Sequence, residues 1–544
     1  MPITRNQLFH RSRDPRLLLR VAASIGLLGF LVGFAISHFT AHTDKRPFLF
    51  ESPIEPGSGL PNAHDWLPPS GASFDLWTDF IRFFDPSEPE SDTGSFERLL
   101  PGGKEPPSAE EILNRVKRAL GKSTLPEPER ALLGDLLAAL HETDDALIAA
   151  ALERLRAASE SSRRHAAEFH GDALRYENRI EEAINAYQLE LDRFPADSEY
   201  SLHWLAELLA AEGRTDERDA LMDSPEFGPQ FSVSDRLNRA VDRRDYLQMA
   251  KFTLLRDLVI DDPWLALLSV FAAAIWFAIV TQFAGQQRER LFGYAIAMIL
   301  GYLSATLTLY AVLVQENIRG FAFDFESDPT TQLIYCIAGI GLREETLKLL
   351  CFVPMVPWLV RRGSQIDALV CAGLVGLGFA LNENISYVEK GGAFTAWGRF
   401  LSANFLHVAL TGIAGLALVR AWRWPKRQWD NFLYDFLIVV AAHGGYDALL
   451  MMPALVDYDF VSLIILALVA YFYLDRAIEH MEPRGAMRVS PLAVFVVGGA
   501  ALIAVTFCFA CWAMPFPLAL ADYALALAYV VPFAFIFINR LRHL

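Results

Sequence analysis

Arg343-Glu344-Glu345-Thr346-Leu347-Lys348 interrupts an apolar run that extends from about Leu333 to Val360. The run is long enough to cross a bilayer. Four of its six central residues are nonetheless ionisable. A charge at that depth costs roughly 3 kcal/mol or more unless it is paired, neutralised or wetted. Two neighbouring carboxylates kept there imply a use for them. The competing reading is a self-neutralising lock, in which Arg343, both glutamates and Lys348 pair only for packing.

Composition agrees with a membrane protein. The chain has 544 residues, of which 53 % are hydrophobic, and its mean hydropathy is +0.25. A net charge of −16 excludes nucleic acid as a partner, because phosphate binding needs an excess of Lys and Arg. All five cysteines (Cys336, Cys351, Cys371, Cys508 and Cys511) fall in apolar runs. Cys508-x-x-Cys511 therefore reads as two small residues of a span, with no partner ligands beside it.

The basic N-terminus leads into an apolar run from Leu17 to Phe39, read as a retained anchor over residues 1–43. Residues 44–107 form a linker, since positions 51–107 hold ten prolines and six glycines. Phe74, Trp77, Phe80, Phe83 and Phe84 make a short amphipathic piece within it. Residues 108–225 are rich in Ala, Leu, Glu and Arg and read as helical. Ala167, Gly171, Leu174, Ala183, Tyr187 and Pro195 fall at the offsets of a tetratricopeptide-like repeat. Residues 226–263 form an amphipathic connector, expected to lie against the membrane face.

Nine further spans follow the anchor, at 264–284, 291–314, 332–360, 366–388, 400–420, 432–452, 460–475, 490–511 and 518–538. Arg288/Arg290, Arg361/Arg362, Arg420 to Arg427, Arg476 to Arg488 and Arg540/Arg542 lie on alternate connections. The remaining loops carry only Arg319, Lys390 and Arg399. The positive-inside rule then places both termini in the cytoplasm and residues 44–262 outside. Trp264, Trp397 and Trp512 would mark the outer interface. The expected fold is all-α: a polytopic membrane bundle of about ten spans plus an extracytoplasmic helical-repeat-like domain.

Later spans carry matching polar groups: Asn382-Glu383-Asn384, His407 with Thr411 and Asn404 on its face, and His443 with Asp447 at i,i+4. Counted at about 1.5 Å per residue, they lie from about 8 to 15 Å below the outer surface, and the Glu344-Glu345 pair about 18 Å below it. They would meet in an outward-facing, water-filled cavity. Carboxylates and imidazoles without a nucleotide loop or a Ser or Cys nucleophile suit activation of water. A glutamate acting as general base is one route. Zinc on His407, His443 and a carboxylate such as Glu383 is the other. Spacing does not choose between them.

Glu344-Glu345-x-x-Lys348, Phe379-x-x-x-Glu383-Asn384, His407 and His443-x-x-x-Asp447, in that order on successive spans, resemble the PrsW family of intramembrane proteases, distant relatives of the CAAX prenyl endopeptidases. The resemblance covers roughly 264–480 and leaves two C-terminal spans in 481–544. It implies an endopeptidase of bacterial cell membranes that cuts membrane-anchored proteins near the extracytoplasmic face, an anti-sigma factor among them. It implies Glu344, Glu345, Glu383, His407 and His443 as the catalytic set, supported by Lys348, Asn384 and Asp447. It also implies a metalloprotease label, with zinc or another divalent metal. Two other classes use the same features: a transporter with these groups along its pathway, and a non-catalytic scaffold acting through its helical repeats. No inverted repeat favours the transporter.

Overall fold

The structure is a computed structural model that describes residues 11–39, 127–141, 144–161, 163–196, 198–260, 262–284, 288–481, 489–513 and 516–542. The expected linker, its aromatic piece and the start of the helical domain lie outside the described residues. Helix makes up 87 % of the structure, and no strand occurs among the described residues. The chain divides into two units, Met1–Glu51 with Ala240–Leu544, and Ser52–Arg239.

After α1 (Pro15–Phe39), the Ser52–Arg239 unit contains α2 (Glu127–His141), α3 (Asp145–Glu160), α4 (Ala166–Tyr176), α5 (Ile180–Arg193), α6 (Glu199–Ala211), α7 (Thr215–Asp223) and most of α8 (Val233–Asp242). Short connections make neighbours antiparallel. Leu133, Leu136, Leu155 and Phe169 form one buried cluster; Leu174, Tyr187, Leu205 and Leu209 belong to another. α4 has no side-chain cap of its own, because His165 stands at its N-cap in a left-handed conformation (φ 64°). Glu190 of α5 supplies the cap instead, accepting from the backbone N–H of His165 at 2.5 Å and of Ala167 at 3.2 Å. Asp172 is buried beneath two tyrosines. It accepts from the Tyr187 hydroxyl at 2.6 Å and the Tyr200 hydroxyl at 3.0 Å.

The other unit holds α1 and resumes with a connector helix, α9 (Tyr246–Arg256), capped by Asp245, whose side chain accepts from the amides of Leu247 and Gln248. α10 (Pro263–Phe283) starts on an Asp262 cap with proline at its first position. α11 (Arg288–Leu313) ends in a π-turn, Val314–Ile318. Pro329 to Arg362 is then helical but composite: α12 (Pro329–Ile334), a π segment (Tyr335–Leu342), α13 (Arg343–Phe352), a 3-10 turn (Val353–Met355) and α14 (Val356–Arg362). Pro354 and Pro357 explain the later break, since neither can donate to the helical ladder.

α15 (Gln365–Leu401), α16 (Ala403–Arg423), α17 (Pro425–Met451), α18 (Val461–His480), α19 (Pro491–Ala513) and α20 (Phe516–Leu541) complete the unit. Eight stretches of the described chain are long and apolar enough to cross a membrane: 15–39, 263–283, 290–318, 365–388, 395–423, 425–451, 461–480 and 491–512. The two other expected spans are the composite helix and α20. The protein is an all-α polytopic membrane protein. Trp276 anchors the bundle's core against Phe400, Phe405, Phe495 and Phe537. Trp397, read from the sequence as an outer-interface marker, is instead buried against Tyr523. Trp264 and Trp512 are exposed.

Candidate active site

Two backbone approaches bring the polar residues together. A Cβ on Gly376 of α15 would lie 2.1 Å from the carbonyl oxygen of His407 on α16. Only glycine permits that contact, and it fixes the height of His407. A Cβ on Gly444 of α17 would lie 2.5 Å from Cα of Ile337, and one on Gly341 would lie 2.7 Å from the Val440 oxygen. α17 thus rests on the π segment that precedes α13. π-turns recur at functional sites because they re-aim the residues after them. Here those residues are Glu344, Glu345 and Lys348.

Glu345 is the centre of the resulting network and is fully buried. Its Oε1 lies 2.8 Å from Lys348 Nζ and 2.8 Å from His443 Nδ1. Its Oε2 accepts from the Thr411 hydroxyl at 3.2 Å. The sequence pairs Lys348 with Glu344 at i,i+4. The structure gives its shorter contact to Glu345, with Glu344 Oε2 at 3.3 Å. Lys348 Nζ also lies 2.9 Å from His407 Nδ1 and 3.8 Å from the Phe379 ring centre. Lysine can only donate, so Nδ1 of His407 accepts and its Nε2–H faces Glu383 Oε2 at 3.2 Å. By the same logic Nδ1–H of His443 donates to Glu345. Its Nε2 is left 3.6 Å from Glu344 Oε2 and 3.5 Å from Asp447 Oδ2. The two imidazole rings are 5.2 Å apart. Arg343 stays outside the network, its Nε and Nη1 buried without a hydrogen-bond partner. The lock reading therefore describes only part of the cluster.

The sequence singled out Arg399 only as a loop charge. It belongs to the site. Its Nη2 pairs with Glu383 Oε2 at 2.7 Å, its Nε donates to Asn384 Oδ1, and its guanidinium lies 3.9 Å from the Tyr387 ring centre. Asn384 in turn donates to Asn404 Oδ1 at 2.6 Å. Asn404 is thereby tied to Asn384 and not to the His407 ring. Glu383 and Arg399 are 16 residues apart, about 24 Å along a straight helix. Their contact means that α15 doubles back between them. A loop position in the sequence becomes a site position once the chain reverses.

The residues form a packed cluster with a graded rim rather than an open cavity. Side-chain exposure is 26 % for Glu383, 21 % for Asp447 and 19 % for Arg399. It falls to 10 % for Glu344 and to zero for Glu345 and Lys348. The accessible surface of the cluster is concentrated at the Glu383 edge, and Glu345 is the carboxylate with none.

The residues present fit a divalent metal. Glu344, His407 and His443 each offer a ligand atom, all within 4.8 Å of one another. Two imidazoles and a carboxylate are a zinc-type donor set. His443 is oriented by Glu345 through its other nitrogen, as ligating histidines usually are. Asp447 Oδ2 beside it is buried with no hydrogen-bond partner. Four carboxylic side chains (Glu344, Glu345, Glu383 and Asp447) face two basic ones (Lys348 and Arg399), an acidic surplus that a divalent cation would offset. Glu383 contacts both His407, at 3.2 Å, and Arg399, at 2.7 Å, while Glu344 is the carboxylate whose ligand atom lies within 4.8 Å of both histidines.

Residues 289–474 match the family described as PrsW family intramembrane metalloprotease. The match covers 186 (474 − 289 + 1) of the 544 residues and includes every member of the cluster. Over these residues the chain is similar to a family of intramembrane proteases, which supports an enzyme of the membrane. No curated protein and no solved structure matches the chain.

Proposed function

We propose that the PrsW-type region hydrolyses a peptide bond of a membrane-anchored protein near the extracytoplasmic face, and that Glu344, His407 and His443 form its water-activating centre. The observation that carries this is the convergence of these three side chains from α13, α16 and α17 within 4.8 Å, inside the family match. Glu345 and Lys348 orient the two histidines from a sealed position. Glu383 is the partly exposed carboxylate that takes the proton from the attacking water, with Arg399 holding it toward His407. A divalent ion such as zinc, when bound to the centre, would supply an acidified water and polarise the scissile carbonyl. His407 would then exchange its Lys348 or Glu383 contact for the ion. Residues 108–225 are the segment that selects substrates, an anti-sigma factor being one class of membrane-anchored target.

The experiment is release of a membrane-anchored reporter by purified wild type, Glu344→Gln, Glu383→Gln and His443→Ala in liposomes, with metal content measured on each. Wild-type release, lost by about 100-fold or more in each variant, is expected. Bound metal should fall in Glu344→Gln and His443→Ala but not in Glu383→Gln. Equal release by all four proteins would remove the protease assignment. Full release by a metal-free, chelator-treated enzyme would remove the ligand roles.

A further inference from the structure

Asp257 follows α9 directly, within the unit that resumes at Ala240. Its side chain reaches two membrane helices at once. Oδ2 accepts from the Thr306 hydroxyl on α11 and from Asn382 Nδ2 on α15, the latter at 3.1 Å. Its backbone carbonyl accepts from the Tyr302 hydroxyl on α11 at 3.0 Å. Asn382 is the residue before Glu383. Thr306 is buried, so its hydroxyl needs the acceptor that Asp257 provides.

We propose that Asp257 is a positioning residue that clamps the connector to α11 and α15 and sets the rotation of α15 that aims Glu383 at His407. The proposal rests on reading Glu383 as an active-site carboxylate. Neighbouring residues on a helix point about 100° apart, so drawing Asn382 toward Asp257 fixes where Glu383 points. At a side-chain radius of about 5 Å, a rotation of about 20° moves a carboxylate by about 2 Å. That is enough to part Glu383 from His407, now 3.2 Å away, and displacements of about 1 Å can cost about 100-fold in rate. The clamp also gives the connector a route to the site: whatever tilts α9 bears on α15 one residue from Glu383. Both donors to Oδ2 are neutral, so an amide oxygen in the same place preserves the clamp.

The test uses the full chain in liposomes with Asp257→Ala, Asn382→Ala, their combination and Asp257→Asn. Asp257→Ala should lower kcat about tenfold with KM within twofold. Asn382→Ala should do the same, and the double variant should be no worse than either. Asp257→Asn should keep at least half of kcat. Thermal unfolding of the same proteins gives a second cycle that does not depend on proteolysis. Its shifts should be non-additive even if wild type releases no reporter, which separates failure of the clamp from failure of the protease reading. Wild-type kcat in Asp257→Ala, an effect on KM alone, multiplying kinetic effects, or additive unfolding shifts would each overturn the proposal.

Discussion

Glu344 and Glu345 are adjacent in sequence, yet their surroundings give them different work. Glu345 accepts from Lys348, His443 and Thr411 and has no exposed surface. Glu345→Gln leaves Lys348 buried without its nearest counter-charge, and breaking a buried pair costs about 3 kcal/mol or more. Its melting temperature should fall sharply along with its activity. Glu344 has one contact within 3.3 Å, to Lys348, and a side chain 10 % exposed. Glu344→Gln should abolish release while its stability stays within about 1 kcal/mol of wild type. Thermal unfolding beside reporter release checks both, and equal destabilisation would contradict the division of roles. The sequence made the polar set legible, because each member is costly in an apolar run. The pairing within the set was not legible: Lys348 can reach i−3 or i−4, and only the orientation of α13 against α16 and α17 decides. Arg399 escaped notice because a charge near a loop is cheap, so nothing in its sequence context asks for a partner.

At the scale of elements, glycines adjacent in sequence differ as sharply. Gly444 and Gly445 are neighbours on α17, between His443 and Asp447. A Cβ on Gly444 would collide with backbone atoms of Ile337 and Cys336, whereas one on Gly445 would meet only Ile465 Cδ1 at 3.8 Å. Gly444→Ala should therefore push α17 off the π segment, part His443 from Glu345, and cost about 1–3 kcal/mol with loss of release. Gly445→Ala should be close to neutral in both measurements. Helix periodicity exposed the helices themselves; it did not reveal the π segment, whose wider turn has no hydropathy signature. The helices of the Ser52–Arg239 unit carry a separate prediction. Burial raises Asp172 to about 7, and the nearby Glu168 carboxylate adds to the rise against the Tyr187 and Tyr200 hydroxyls. A folded value above the unfolded one means that the stability is fully present below about pH 3.8 and is lost as pH climbs toward 7. Integrated from pH 5.5 to 8.5, the loss is about 2 kcal/mol. Burial lowers His170, which opposes this trend below its ordinary range, but that contribution is common to wild type and Asp172→Asn. Hydrogen exchange of α4 amides in the full-length protein should show Asp172→Asn gaining about 2 kcal/mol on wild type over that pH range. A gap independent of pH would remove Asp172 as the cause.

For the whole molecule, the decisive quantity is the parity of crossings, and the composite helix from Pro329 to Arg362 controls it. Its 34 residues span about 50 Å at helical rise, ample for a bilayer, but its π segment, 3-10 turn and buried charges are also what a re-entrant segment would carry. If it crosses, Glu326 lies on one face and Lys426 on the other, with α15 and α16 crossing between Arg362 and Lys426. If it turns back, the segments after it invert, and Arg420, Arg423, Lys426 and Arg427 move outside, against the charge rule. Burial of Lys348 against Glu345 does not require either outcome, because both keep the cluster inside protein. The basic residues do discriminate, which is why we expect a full crossing with both termini in the cytoplasm. Single cysteines at Glu217, Glu326, Lys426 and Asp457, in a background lacking the five native ones, should report this through a membrane-impermeant thiol reagent applied to intact cells. Glu217, Glu326 and Asp457 should label, and Lys426 should label only after permeabilisation. Labelling of Lys426 together with Glu217 in intact cells would make the Glu344-Glu345 helix a re-entrant segment, and substrates would then meet the Glu383 edge from the opposite membrane face.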